Sequence, residues 1–276
     1  MIAEHGSDVR LTREFEAALR YRDLLEIKLD FAGFTLNDFA DLFTALVKEP
    51  AGFMGKARLF ELFDYRRSLE PSIENYERTR AWMRITSTLT RYESLACMAL
   101  HDFGGYRRLL DVGGNSGEFA LQLCRRHPGL RATVLDLPLV CEIGLEHVLA
   151  EPEHPRIGFL KADVRADALP GGYDLISFKS MLHDWPEAQA DAFLGKAAQA
   201  LEPGGTLLVF ERGPIAPRGA TPSFALLPTL LFFRSYRSPE HYAGRLRALG
   251  LAGVEVRHIE LDSAFFLVTA SKPRQR

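Results

Sequence analysis

The run Arg108-Leu109-Leu110-Asp111-Val112-Gly113-Gly114-Asn115-Ser116-Gly117 decides the fold. An apolar stretch ends in an acid, turns through glycines and enters a helix-like segment at 118–126. A strand-to-helix turn of this kind leaves backbone N–H groups and bare Cα atoms facing a small ligand. Folds that seat a pyrophosphate on the helix N-terminus keep negative charge away from it. The carboxylate of Asp111 instead suits a ligand with a cationic end.

Outward from this turn, short β-rich runs alternate with helical ones. The pattern predicts strands over 108–112, 132–135, 157–161, 174–178 and 206–211, with helices near 117–127, 138–150 and 187–201. That rhythm implies βαβ units and a parallel sheet. The C-terminus breaks it. After a helix near 239–249, the runs 254–261 and 264–270 are separated only by Asp262 and Ser263, which predicts an antiparallel hairpin. Upstream of 104 the apolar residues recur at helical spacing, and the region reads as purely helical. One helix is expected over 11–29, a second over 36–47 capped by Thr35-x-x-Asp38, and a long one over 71–103. Pro71 stands near the start of the long helix and Gly104-Gly105 end it. The chain therefore divides into a helical region, 1–103, and an α/β region, 104–276.

Its 276 residues suffice for one large α/β domain and an extension. A net charge of -2 gives no electrostatic case for nucleic acid. Cys97, Cys124 and Cys141 are scattered with no C-x-x-C, which argues against zinc and disulfides and fits a reducing, cytoplasmic compartment. The N-terminal residues lack the apolar core of a secretory signal, and the longest apolar run, 224–233, carries Pro228 and is too short to span a bilayer.

Ligands of open α/β sheets bind at the carboxyl ends of the strands. Several polar residues fall there. Asp136, beside Leu137 and about 20 residues past the glycine turn, can accept hydrogen bonds from ribose hydroxyls or cap the following helix. Asp163, with the Val164 backbone, can meet an adenine amino group or simply close a turn. His183, after the fourth strand, can take a proton from a substrate hydroxyl at neutral pH. Asp184-x-x-Glu187 reads mainly as a helix start. Glu211 ends the fifth strand, where it can fix the tautomer of an imidazole or pair with Arg212 at the surface.

Residues 111–117, Asp136-Leu137-Pro138, Leu182-His183-Asp184-Trp185, Leu201-Glu202-Pro203-Gly204-Gly205 and Glu211 form an ordered set. In it the chain resembles the small-molecule O-methyltransferases of plant and bacterial natural-product metabolism, over roughly 104–270. The resemblance implies a class I methyltransferase fold: a Rossmann-like, mostly parallel seven-stranded sheet with a C-terminal antiparallel hairpin. It implies S-adenosylmethionine as cofactor. Asp111, Gly113 and Gly117 would border its methionine end, Asp136 with Leu137 its ribose, and Asp163 with Val164 its adenine, while Lys179 would border it after the fourth strand. His183 matches the family's general base and Glu211 the first of two acids flanking it. Asn115 replaces a common glycine, and Tyr236 stands where the second flanking acid is usual. The family's N-terminal winged helix reads as absent or shortened, which bears on dimer formation and closure of the pocket.

The expected activity is methyl transfer to a hydroxyl of a small aromatic metabolite, as in antibiotic biosynthesis. Trp82, Met83, Met181, Trp185 and the 224–233 segment are candidates to hold a flat substrate. A homodimer through the N-terminal helices is the expected assembly. The alternatives are methylation at carbon or nitrogen, with His183 and His241 available to a metal; a relative that binds the cofactor without transferring methyl; and a scaffolding partner.

Overall fold

The computed structural model describes residues 2–5, 8–49, 52–53, 55–215, 224–232 and 235–274. Strands β1 (Ile2–His5) and β2 (Asp8–Leu11) pair antiparallel, so the start of the chain is not purely helical. Helix α1 (Arg13–Ala18) and a short 3₁₀ turn lead into α2 (Arg22–Lys48), which runs unbroken through the boundary expected at Thr35. The Thr35-x-x-Asp38 cap does not form. Thr35 donates its hydroxyl to the Phe31 carbonyl one turn back at 3.1 Å. Asp38 accepts from the backbone N–H groups of Arg58 and Leu59 at 3.0 and 2.9 Å. These open helix α3 (Arg58–Leu62), so Asp38 caps a neighbouring helix rather than its own.

Helix α4 (Ile73–Leu100) starts at Ser72, whose Oγ accepts from the Asn75 N–H at 3.0 Å. Then follow β3 (Arg108–Val112), α5 (Glu118–Arg126), β4 (Arg131–Asp136), α6 (Pro138–Leu149), β5 (Ile157–Lys161) and β6 (Tyr173–Lys179). The chain continues through α7 (Glu187–Ala200), β7 (Leu201–Arg212), α8 (Leu227–Leu231), α9 (Pro239–Ala248), β8 (Ala252–Glu260) and β9 (Ala264–Ser271). The large sheet has the order β5-β4-β3-β6-β7-β9-β8. Strands β3 to β7 are parallel, and β9 is antiparallel to both of its neighbours. This is the expected α/β fold with its terminal hairpin.

Alternation along the strands builds a core on each face of the sheet. Leu109, Leu175 and Leu208 pack with Phe119 and Leu123 of α5 and with Cys97 of α4. Leu110, Ile176 and Val209 pack with Phe193 and Leu194 of α7 and with Tyr242 and Leu246 of α9. The strand order reverses beside β3, with β4 and β5 on one side and β6 and β7 on the other. A crevice therefore opens at the carboxyl ends of β3 and β6. Helix α4 packs on α5 and α6 and is tied to the glycine turn by the Ser87 hydroxyl, which donates to Ser116 Oγ at 2.7 Å. Among the described residues no helix is long and apolar enough to cross a membrane.

Candidate active site

A cavity of about 1360 Å³, counted out to its open mouth, lies over these strand ends. The glycine turn forms its floor. Gly113 holds φ +67°, and a Cβ there would come within 2.5 Å of Met181 Cγ, so the position requires glycine. A Cβ on Gly114 would meet Asp111 Oδ2 at 2.5 Å. The bare backbone leaves room for that carboxylate beneath the turn. Asp111 accepts the Ser177 hydroxyl at 2.6 Å on Oδ1, while Oδ2 is buried without a partner among the described residues. Burial pushes its pKa up to about 7, against the pull of Ser177 and Lys179. Asp111 and Gly117 lie behind the cavity wall; Gly113 and Asn115 line it.

Asp136, at the end of β4, accepts from the backbone N–H groups of Asn115 and Leu137, both at 2.8 Å. It thereby fastens the glycine turn to the next strand. Burial pushes its pKa up to about 6, and the two backbone bonds oppose the shift. Leu137, Asp163 and Val164 line the same side. Asp163 closes a turn on the Arg165 N–H at 2.9 Å and pairs with the Arg165 guanidinium at 2.7 Å, which holds its pKa down. Lys179, at the end of β6, pairs with Glu93 and donates to Thr90 Oγ1 at 2.9 Å, both on α4.

His183 sits in a short 3₁₀ turn after β6. Its Nδ1 lies 2.7 Å from Glu211 Oε2. Glu211 is buried at the end of β7, and its Oε1 accepts from the backbone N–H groups of Met181 and Leu182 at 2.9 and 2.8 Å. The surface pairing of Glu211 with Arg212 is thus corrected, because Arg212 turns instead to Glu93. Burial opposes protonation of His183, but Glu211 and Asp184 outweigh it and raise its pKa. Glu211 stays below the usual carboxylate range, because His183 and the two N–H groups overcome its burial.

Asp184 does not cap α7, whose N-cap is Pro186 with no side-chain bond. Its Oδ1 lies 3.4 Å from His183 Nε2, and its Oδ2 accepts the Tyr65 hydroxyl at 2.8 Å. The second carboxylate beside the imidazole is therefore Asp184. Tyr236, expected in place of that acid, lays its ring against the imidazole at 5.2 Å between centroids.

Aromatic rings line the cavity: Phe31, Phe63, Tyr65, Trp82, Trp185 and Phe232. Trp82 lies 6.1 Å from Phe63 and 5.5 Å from Tyr65, and Tyr65 lies 6.1 Å from Trp185. Of the expected substrate contacts, Trp82, Met181 and Trp185 line the cavity. Met83 does not; it is 2% exposed and packs with Val140 and Ile143 under α6. Phe233 of the 224–233 segment lies outside the described residues. His241 is tied to Asp191 at 3.1 Å and is not part of the cavity wall. Among the described residues no group of three or more His, Cys, Asp or Glu side chains is arranged to hold a metal.

Sequence reasoning missed Lys28, Tyr65, Glu93 and Arg212. A signal existed for one of them. Trp82, Thr86, Thr90 and Glu93 recur at helical spacing along α4, and all four face the cavity. For Tyr65, in a short turn, there was none.

The O-methyltransferase domain family matches the chain over residues 60–241. The 3-hydroxy-5-methyl-1-naphthoate 3-O-methyltransferase of Streptomyces sahachiroi is 42% identical over 125 residues, 45% of this chain and 35% of that protein. The acetylserotonin O-methyltransferase of Bos taurus is 32% identical over 174 residues, 60% of this chain and 49% of that protein. The chain thus spans about a third to a half of the length of these curated relatives. Among solved structures, the S-adenosylmethionine-dependent methyltransferase SibL in its apo form superposes with a TM-score of 0.64 at 24% identity, covering 99% of this chain and 81% of that one. Fold, strand-end constellation and the match over residues 60–241 agree: the chain belongs to the O-methyltransferase domain family.

Proposed function

We propose that the protein transfers a methyl group from S-adenosylmethionine to a hydroxyl of a small aromatic metabolite, with His183 as general base. The observation that carries this reading is the His183–Glu211 pair at the edge of a ring-lined cavity floored by the glycine turn. The residues fit the cofactor. The Asp111 carboxyl, its Oδ2 without a partner among the described residues, lies beneath a turn whose bare Gly113 lets a ligand approach the backbone. Gly113, Asp136 with Leu137, Asp163 with Val164, and Lys179 would hold it. When bound, S-adenosylmethionine supplies a methyl group already activated by its sulfonium.

The side chains then have two tasks. The rings orient a flat acceptor, a proximity contribution. His183 removes the hydroxyl proton at Nε2, because Glu211 occupies Nδ1. Glu211 fixes that tautomer and stabilises the imidazolium. The names of the Streptomyces and bovine relatives both specify O-methylation, which favours oxygen over carbon or nitrogen as acceptor. Incubation with S-adenosylmethionine and a panel of hydroxyarenes, read by mass spectrometry, tests the reading. Products heavier by one methyl and resistant to ester hydrolysis are expected; methylated carbon or nitrogen, or no methylated product, would overturn it.

A homodimer through α2 belongs to the same proposal. Leu29, Leu36 and Phe43 recur every seven residues on α2 and are 58%, 47% and 60% exposed. A stripe of that kind suits helix pairing. Light scattering should give twice the chain mass, and Leu36→Glu should restore the monomer. A reducing, cytoplasmic setting is proposed on the three free, buried cysteines.

A further inference from the structure

We infer that Lys196 is a positioning residue for the cofactor's adenine: it holds the turn 163–167 in the shape in which Asp163 and Val164 read the base, and so sets the preference for adenine over hypoxanthine. This rests on the methyl-transfer reading above. Asp163 and Val164 line the cavity, whereas Lys196 stands behind its wall. It lies on α7, just after Phe193 and Leu194, which are buried in the core against the sheet. The turn is therefore tied to a rigid element.

A lysine on a helix flank ordinarily keeps its ammonium in water. Lys196 is half-buried, and its Nζ donates to three carbonyl oxygens: Val164 at 2.6 Å, Asp167 at 2.8 Å and Arg165 at 3.3 Å. All three donors of the ammonium are thereby used, and so flexible a side chain gives up rotamer freedom to be fixed in this way. The turn is also closed from within. The Asp163 carbonyl accepts from the backbone N–H groups of Ala166 and Asp167 at 2.9 and 2.7 Å, and the Asp163 N–H donates to Asp167 Oδ2 at 2.8 Å. Lys196 holds the remaining carbonyls, which these inner bonds leave out.

The fixed turn leaves a donor beside an acceptor. The Asp163 carbonyl faces into the turn, and across a trans peptide the Val164 N–H points the opposite way. That N–H has no hydrogen-bond partner among the described residues, although Val164 is only 7% exposed. Buried backbone donors are rarely left unpaired, so this one points to an acceptor on a ligand. Three N–H groups of Arg165 engage the Asp163 carboxylate, which offers about four lone-pair sites and so has room for one more donor. Adenine presents an accepting ring nitrogen beside a donating amino group. Hypoxanthine reverses both, with an N–H beside a carbonyl oxygen. The Val164 N–H and the Asp163 carboxylate match the first pair and oppose the second.

The test is calorimetric titration with S-adenosylhomocysteine and with S-inosylhomocysteine, which differs only in the base. The wild type should bind the adenosyl compound about tenfold or more tightly. Lys196→Met should weaken the adenosyl compound by about tenfold and the inosyl compound by less than about threefold, so that the preference narrows. Lys196→Arg, which keeps a donating cation, should retain most of the preference. Lys196→Gln, measured in parallel, should fall between, and it decides the matter should Lys196→Met not fold. A role confined to stability would lower both affinities together and leave their ratio alone. An unchanged ratio in the methionine and glutamine variants would therefore overturn the assignment, as would equal binding of the two ligands by the wild type. If the wild type binds neither ligand, the methyl-transfer reading falls; if it prefers adenine but the variants do too, the role of Lys196 falls alone.

Discussion

Two regions of the molecule line one cavity with different chemistry. The sheet half brings strand ends: the glycine turn after β3, Asp136 after β4, His183 after β6 and Glu211 at the end of β7. The helical half brings side chains from helix faces and a short turn: Phe31, Tyr65, Trp82, Thr90 and Glu93. A hydrogen-bonded ladder fixes each strand residue relative to its neighbours, so a motif at a strand end has one place to be. A helix residue reaches the cavity only if the helix is docked at the right rotation, and each residue along it turns by about 100°. The difference separates chemistry from selectivity. In the proposed function the sheet half holds the reacting groups, while the helical half shapes what is admitted to them.

Substitutions on the two sides should behave differently. The largest effect is expected on the sheet side, where His183→Ala should lower turnover by about 10²–10⁴-fold with little change in thermal midpoint. Near-normal turnover in that variant would break the division. Next, kcat/KM should rise with pH, because the proposed base, His183, acts in its neutral form. Its step should lie above the ordinary histidine value of 6.5, since burial lowers the pKa but Glu211 and Asp184 raise it further. Glu211→Gln removes that attraction and should move the step to lower pH, with a plateau about tenfold lower. An unmoved step would detach Glu211 from the imidazole.

On the helical side, Tyr65→Phe takes a hydrogen bond from Asp184. That bond holds the carboxyl's already raised pKa down, so its loss should lift it further and cost about threefold in kcat/KM. Steady-state kinetics of the two proteins would show it, and no change would leave Asp184 outside the site. The smallest effect is structural. Asp38→Ala removes the cap on α3 and should cost about 1 kcal/mol in urea unfolding, without altering cofactor affinity.

The same physics explains what could be read in advance. The parallel sheet, the terminal hairpin and the His183–Glu211 pairing follow from alternating runs and residues at strand ends, and these were legible. The position of Met83 was not: it is adjacent to Trp82 in sequence but about 100° around the helix, in a core under α6. Thr35-x-x-Asp38 carried a genuine capping pattern, yet α3, distant in sequence, claimed the Asp38 carboxylate. Asp184 was read as a cap because its spacing to Glu187 suits one; its partners His183 and Tyr65 become visible only when the 3₁₀ turns fold together. Tertiary partners decided each of these cases, and a local pattern does not name them.

The most direct measurement is calorimetric titration of S-adenosylmethionine into the wild type, His183→Ala and Asp136→Ala. Binding at one site per chain is expected, with equal affinity in wild type and His183→Ala and more than about tenfold weaker binding in Asp136→Ala, which loses the fastening of the glycine turn. Absence of binding by the wild type, or equal weakening in both variants, would contradict a cofactor seated on the strand ends beside a separate catalytic base.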